Sequence, residues 1–509
     1  MWSDGSSPRR VLLLGIDGLA DAFLEAPLVV DAIPNLRALL KDSARGRLTS
    51  TFPPYTGPAW TTITTGVDPG RHGIFGFTDA AGHPVSDAGV TAARIWDYVG
   101  AAGGRSIVVN VPITYPPRPI EGELVCGMPV PPGVSYTAPA ALAPFLEERG
   151  YIVDLAVAEN ARESGAKLGR LARMTEARGR AVAWLASSRE WDLFAVVFVL
   201  PDRLGHPWWK QLVPGDGLYE SRAAERIRRR ARASLVALDD AIGELLARLP
   251  SGTAVVVCSD HGFGPLHADV FFDLVLARAG LMVAPRSPLH RVAARAGRSR
   301  AARLAPGMLH RWARERASGS VGDGGLRRAW TAPSYESGVR LADPDDDELR
   351  ERVTDLLRGL RSPEGAYVAH DVASRAELYH GARTSEAADL LCVMADESVG
   401  LHDGLHAPQP WVSRTSVPWG THATEGVVAI SGCGGLRAPL DARAADIAPT
   451  VLSLLGLRAE DLDGEPLVPA GDELVVAAAR RDARAPDAAY SSDQEAAVLE
   501  HLKGLGYVE

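Results

Sequence analysis

Cysteine is scarce in this chain: Cys126, Cys258, Cys392 and Cys433 are its only four among 509 residues, and no two form a CxxC pair. Scattered through apolar stretches, they read as small hydrophobes, and a reducing cytoplasm suits them. Positive charge is not in excess either. With 54 Lys and Arg against 63 Asp and Glu, the formal net charge is -9, opposite in sign to a nucleic-acid footprint, so a polymeric nucleic acid is not favoured as ligand. Long apolar runs are missing as well. No stretch approaches the roughly 18 to 20 uninterrupted apolar residues of a membrane span. The run after Arg9 and Arg10 is too soon interrupted by Asp17 to be a signal peptide. The expectation is a cytoplasmic protein with no membrane partner and no internal repeat.

What is present is an alternation of short β-rich runs with longer helical patterns. The runs are VLLLGID at 11–17, SIVVNVP at 106–112, DLFAVVFVL at 192–200, TAVVVCSD at 253–260, ADLLCVM at 388–394 and VVAIS at 427–431. Segments 161–188 and 218–248 supply helices, the second with Leu235, Leu238, Ile242 and Leu245 at helical spacing. This pattern predicts an α/β fold with a largely parallel central sheet flanked by helices. Residues 1–283 and 331–469 form the expected catalytic domain. Between them, 284–330 turns to Arg, Ala, Gly and Ser and reads as an inserted cap or flexible segment. Residues 470–509 read as a linker and a terminal helix. The basic run RIRRRARA at 226–233 lies inside a helical pattern and is expected to be its water-facing side.

In α/β sheets, functional groups gather beyond the carboxyl ends of the strands, where loops converge on one crevice. Five pieces of this chain put acid, hydroxyl or imidazole groups at such places. Asp17 ends the first strand; Asp202 and His206 follow the third in PDRLGH; Asp260 and His261 follow the fourth in SDHGFG. Thr56 lies in PPYTGPAW before a helix-like TTITTG, and His422 in WGTHATEG precedes VVAIS. Singly, each is as well explained as a cap, a turn former or a surface histidine. The i, i+4 spacing of Asp202 and His206 suits one helical face, and adjacent Asp260 and His261 make joint sense only on a sharp turn, which Gly262 would permit. Together, carboxylates and imidazoles at several strand ends are what a divalent ion needs.

These residues resemble the alkaline phosphatase superfamily, and within it the type I phosphodiesterase and nucleotide pyrophosphatase branch, from Asp17 to about Leu467. The stretch TGPAWTTITTGVDPGRHGIFGF looks like that branch's nucleophile segment, and PDRLGH, SDHGFG and THATEG resemble its three downstream metal segments in the expected order. The resemblance implies that Asp17, Thr56, Asp260 and His261 surround one metal while Asp202, His206 and His422 hold another, with Thr56 the nucleophile. It implies two divalent ions, zinc by family habit, in a donor set that also tolerates manganese or iron. His72 of the HGI element is given a structural role.

The implied reaction is hydrolysis of a phosphodiester or nucleotide pyrophosphate bond in a small-molecule phosphate ester or nucleotide, through a phospho-threonine. First-turn amides after Thr56 are candidate donors to the phosphoryl group. One departure stands out. Where diesterases of this branch place an asparagine shortly after HGI, this chain has Phe77, which cannot donate a hydrogen bond. Thr78 and Asp79 are expected to form an ordinary loop. A phosphomonoesterase or phosphonate hydrolase with the same two-metal core is therefore the alternative, and a metal-binding scaffold without catalysis the one from another class. A sulfatase lacks its modified cysteine or serine context here, and a serine-dependent phosphoglycerate mutase fits neither Thr56 nor the segment at 284–385. Neither the physiological substrate nor the oligomeric state is encoded legibly.

Overall fold

The computed structural model describes residues 10–155, 164–282, 327–332, 337–405, 407–433, 436, 438–469, 473–478, 490–505 and 507. They fall into two compact units. One comprises Met1–Leu266, Arg375–Ala387 and Thr415–Glu509; the other comprises His267–Ser374 and Ala388–Arg414. Composition marks none of the four crossings between them. The expected insertion at 284–330 lies outside the described residues except for 327–330, and most of the expected linker at 470–490 lies outside them too.

The first unit is built on a nine-stranded sheet. Its strands are β1 (Val11–Ile16), β2 (Ala44–Thr49), β3 (Ser106–Val109), β4 (Gly122–Val125), β5 (Thr137–Ala138), β6 (Leu193–Phe198) and β7 (Ala254–Cys258). After a short strand, β8 (Gly262–Pro265), and its partner β9 (Gly420–Ala423), come β10 (Glu425–Ser431) and β11 (Leu440–Arg443). The spatial order is β11-β2-β10-β7-β1-β6-β3-β4-β5. From β7 through β1, β6 and β3 to β4 every pairing is parallel. β10 runs antiparallel to both β7 and β2. Every residue of β1, β6 and β7 is buried, so both faces of the sheet centre are covered. That accounts for their continuous apolar runs.

Helices supply the cover. They include α1 (Thr56–Thr65), α2 (Ser164–Ser188), α3 (Leu200–Leu212), α4 (Arg222–Leu246), α5 (Ile447–Leu454) and α6 (Ser492–Leu505). The α4 helix starts where the Ser221 hydroxyl accepts the Ala224 N–H at 3.1 Å, and it buries Ile227, Leu235, Leu238, Ile242 and Leu245 along one stripe. Arg226, Arg229, Arg230 and Arg232 are exposed on its other side, so the basic run is a solvated face. Among the described residues, no helix is long and apolar enough to cross a membrane.

The second unit has its own four-stranded antiparallel sheet, ordered Ala329–Thr331, Gly338–Leu341, Leu390–Met394, Ala369–Ser374. A helix at Asp347–Arg358 buries Leu349, Val353 and Leu357. The ADLLCVM run, read from sequence with the central sheet, belongs to this smaller one. A short apolar run fits the interior of either sheet equally well, and periodicity cannot tell them apart.

Candidate active site

The carboxyl ends of β1, β6 and β7 lie side by side, and the turn after each delivers one part of the site. After β1, Asp17 is followed by Gly18 at φ +68°, a left-handed turn in which a Cβ would stand 3.1 Å from the Asp202 backbone. After β6 the chain enters α3 almost at once, and α3 carries Asp202 and His206 one turn apart on one face, as their spacing predicted. After β7 come Asp260 and His261. Gly262 does not adopt a left-handed turn there; it opens β8, where a Cβ would lie 2.0 Å from the Glu425 carbonyl oxygen. The glycine is required by the close approach of a neighbouring strand, not by a turn. β9 pairs antiparallel with β8, setting His422 opposite Phe263 and beside the same strand ends. Thr56 opens α1, and Gly66 at φ +71° closes it.

All seven side chains predicted from sequence converge. Asp202 Oδ1 lies 3.2 Å from both His206 Nε2 and His422 Nε2, and the two imidazole nitrogens are 3.0 Å apart. Ligand atoms of Asp17, Asp260 and His261 lie within 4.8 Å of one another, and so do those of Asp202, His261 and His422. His261 thus borders both groups, whereas the sequence resemblance allotted it to the first alone. The Thr56 Oγ stands 3.3 Å from His261 Nε2. His422 Nδ1 is 3.0 Å from the Pro54 carbonyl and His261 Nδ1 2.9 Å from that of Gly262. Each Nδ1–H donates there, which leaves each Nε2 lone pair turned toward the carboxylates.

The charge balance is incomplete without a cation. Thr56, Asp17, Asp202, Asp260 and His261 are all buried, and only His206 reaches solvent appreciably. Asp17 Oδ2 accepts from Trp60 Nε1 at 3.1 Å and Asp260 Oδ1 from the Gly18 N–H at 3.1 Å. Their other oxygens, Asp17 Oδ1 and Asp260 Oδ2, are buried without a hydrogen-bond donor. Burial, reinforced by neighbouring carboxylates, pushes both acids well above the usual carboxylate range. Burial acts on Asp202 in the same sense but is outweighed by His206, His422 and Arg203, which hold it well below that range. His422 is lowered to about 3, chiefly by burial and then by the nearby His261. Neutral imidazoles and orphaned carboxylate oxygens fit a divalent ion, and a donor set of nitrogen and oxygen without thiolate fits zinc, manganese or iron.

Four neighbours of the site, Arg203, Asp154, Tyr507 and His501, escaped the sequence reading. Arg203, inside PDRLGH, is fully buried and held by Asp154, with its Nη2 2.8 Å from Asp154 Oδ2, and by Asp202. Tyr507 and His501 approach the same pair from α6 and the turn beyond it. Burial would raise the Asp154 carboxyl, but the Arg203 charge and the His501 contact hold it far below the usual range. Asp154→Asn is expected to destabilise the protein by about 3 kcal/mol at neutral pH, because the buried guanidinium loses one of its two carboxylate partners and keeps only Asp202. A depressed folded pKa gives stability that is complete above the ordinary carboxylate range and lost as pH falls through the folded value. Melting curves across that window should therefore converge on acidification; equal melting temperatures at pH 7 would refute the pairing.

The other sequence expectations also find their places. His72 is buried, its Nδ1 accepting the Ile74 N–H at 3.1 Å and its Nε2 facing Thr62 Oγ1 at 2.9 Å, which is a structural role. Asp79 caps its own loop, accepting from the Ala81 and His83 amides at 2.9 Å each. Phe77 is buried with its ring centroid 4.5 Å from that of Tyr507.

No curated protein matches the chain. Among solved structures, the crystal structure of phosphonoacetate hydrolase from Sinorhizobium meliloti 1021 in complex with phosphonoacetate is similar at 18% identity. It covers 87% of this chain and 94% of that one, with a TM-score of 0.55. The same hydrolase with phosphonoformate gives 17% identity, the same coverage and a TM-score of 0.53. Murine ectonucleotide pyrophosphatase / phosphodiesterase 5 aligns at 14% identity over 91% of this chain and 97% of that one, with a TM-score of 0.49. At such identities the first two likenesses speak for the fold alone. The sequence pattern of the family described as Type I phosphodiesterase / nucleotide pyrophosphatase matches residues 11–422, and the chain belongs to that family of phosphorus-ester hydrolases.

Proposed function

We propose that this enzyme cleaves phosphodiester or nucleotide pyrophosphate bonds of small molecules by two successive displacements at phosphorus, the first made by Thr56. The observation that carries the reading is the position of the Thr56 hydroxyl, buried at the start of α1 and 3.3 Å from His261 Nε2, beside two groups of carboxylates and imidazoles. Asp17, Asp260 and His261, with Thr56, would hold one divalent ion, and Asp202, His206 and His422 the other. Bound there, such ions, zinc being the family's usual choice, supply Lewis acidity to a phosphoryl oxygen and lower the pKa of an adjacent hydroxyl.

The chain's own groups do the rest. The Thr56 Oγ forms a bond to phosphorus as the bond to the departing alcohol or nucleotide breaks, leaving phospho-threonine. In the first turn of α1 the Thr56 and Gly57 amides have no intrahelical acceptor and Pro58 has no N–H, so two donors face the phosphoryl oxygens at the positive end of a helix. Water then adds to phosphorus, its hydroxyl staying in the phosphate and its proton returning to Thr56. Each displacement inverts phosphorus, so the overall course is retention. The buried walls, with Trp60 on Asp17 and Phe263 against His206 and His422, exclude bulk water and strengthen every charge interaction inside. Cys126, Cys258 and Cys392 are buried and form no disulfide, which suits a reducing, cytoplasmic location.

A second reading, a phosphomonoesterase or phosphonate hydrolase, is favoured by one observation: Phe77 is buried and offers no donor to a phosphate oxygen. Purified protein is expected to contain about two divalent ions per chain and to turn over a nitrophenyl phosphodiester, losing activity to a chelator and regaining it with zinc. Comparing kcat/KM on nitrophenyl phosphate and on a nitrophenyl diester separates the readings. Preference for the monoester selects the second, and no turnover of either ester with both ions bound rejects hydrolysis of phosphorus esters.

A further inference from the structure

Asp202 is gripped from two sides. Its Oδ1 faces the His206 and His422 nitrogens, the side on which a metal would sit. Its Oδ2 is turned the other way, accepting from Arg203 Nη1 and, at 2.9 Å, from the Tyr507 hydroxyl. The same hydroxyl accepts from Arg203 Nη1 at 2.9 Å and lies 3.4 Å from the Thr56 Oγ. A residue some 300 positions along the chain from Asp202 thus touches both a candidate metal ligand and the candidate nucleophile.

Tyr507 is held there by more than one contact. Its backbone N–H donates to the Leu502 carbonyl at 2.9 Å, closing the end of α6. Its ring packs on Phe77 at 4.5 Å and presents an edge-on face to His206 at 5.8 Å and His422 at 6.1 Å. One turn back on α6, His501 Nε2 lies 3.4 Å from Asp154 Oδ2, the carboxylate that pins Arg203. The segment from 492 to 507 therefore meets a continuous chain of buried polar groups at both ends, Asp154 to Arg203 to Asp202. Phe77, which leaves the site without a side-chain donor of its own, supplies the surface on which a ring bearing a hydroxyl is seated beside Thr56.

We propose that Tyr507 is a positioning residue of the active site: its hydroxyl, with Arg203, fixes the outer oxygen of Asp202 so that the inner one is presented to the metal with His206 and His422, and it orients the Thr56 hydroxyl for attack. Groups that hydrogen-bond the far side of a metal ligand set its orientation, and their loss usually lowers metal affinity or activity by about 10- to 100-fold. This inference rests on the proposed phosphoryl transfer through Thr56.

Tyr507→Phe tests it, because it removes one oxygen while keeping the ring packed on Phe77 and the Arg203–Asp202 ion pair in place. The full-length protein loaded with zinc is compared with wild type and with Thr56→Ala in three measurements: zinc retention against a competing chelator, kcat and KM on a nitrophenyl diester, and melting temperature. The expected result for Tyr507→Phe is zinc retention and kcat each lowered by about 10- to 100-fold, KM changed by less than about threefold, and folding retained. A variant that keeps zinc and kcat within about twofold of wild type overturns the role of Tyr507, as does a lower melting temperature with unchanged zinc retention, or faster turnover, which would make Tyr507 an obstruction. An inactive wild type, or a fully active Thr56→Ala, instead overturns the underlying reaction.

Discussion

Thr56→Ala is expected to lower kcat on a nitrophenyl diester by at least about 1,000-fold while the protein still binds zinc and stays folded. The hydroxyl is the only side-chain group of Thr56 that the proposed chemistry uses, and the change leaves the backbone amides at the start of α1 in place. The six carboxylates and imidazoles that would carry the ions remain intact, so metal content should not change appreciably. Thr56→Ser keeps the nucleophile and should retain measurable turnover, which distinguishes loss of the hydroxyl from disturbance of α1, every residue of which is buried. Trapping a phosphorylated peptide containing residue 56 from wild type, and none from the alanine variant, would identify the intermediate directly. Full activity without the hydroxyl would leave attack by water as the remaining course, with inversion at phosphorus.

The second large effect has opposite signs in the presence and absence of metal. Asp260→Asn should abolish zinc-dependent turnover, yet make the chelator-treated protein more stable than chelator-treated wild type. Asp17 and Asp260 are fully buried, each with one oxygen lacking a donor. An asparagine can still accept the Gly18 amide through its oxygen but brings no charge into the cluster. Burial raises the folded pKa of Asp260, so its contribution to stability is complete below the ordinary carboxylate range and is lost as pH rises through the raised value. Metal-free wild type should therefore weaken over that window more than the variant, which keeps only Asp17 as a raised buried acid, and the gap between their melting temperatures should widen with pH. Zinc reverses the order in wild type alone, since a ligand at 100 times its Kd stabilises by about 2.7 kcal/mol. A zinc-induced rise in melting temperature of equal size in both proteins would remove Asp260 from the ligand set.

Much of the site could be read from the chain because strand ends are local features. Asp17, Asp202 and Asp260 each follow a run whose apolar character already marks a central strand, and the residue after a buried parallel strand can only emerge at its carboxyl edge. The spacing of Asp202 and His206 is likewise a property of one helix. His422 stood out beside the run VVAIS, but its grouping with Asp202 and His206 came only through resemblance. Its place depends on the pairing of β9 with β8, two short segments without alternating character, and strand pairing across some 150 residues leaves no periodic mark in either partner. Gly262 was noticed for the wrong reason. A sequence shows that a side chain is missing but not which neighbour occupies its space, and here the neighbour is the Glu425 carbonyl.

What the amino-acid order determined by itself is the set of α/β elements, the donor types at the strand ends and the threonine ahead of its helix, because helix period, strand burial and residue chemistry act over a few neighbouring residues. Only the tertiary structure decided that ADLLCVM joins a separate sheet, that His261 borders both candidate metal groups, and that Tyr507 and Asp154 brace Arg203 against Asp202. Those outcomes depend on which distant surfaces bury each other, and burial is a property of the packed chain that no local pattern carries.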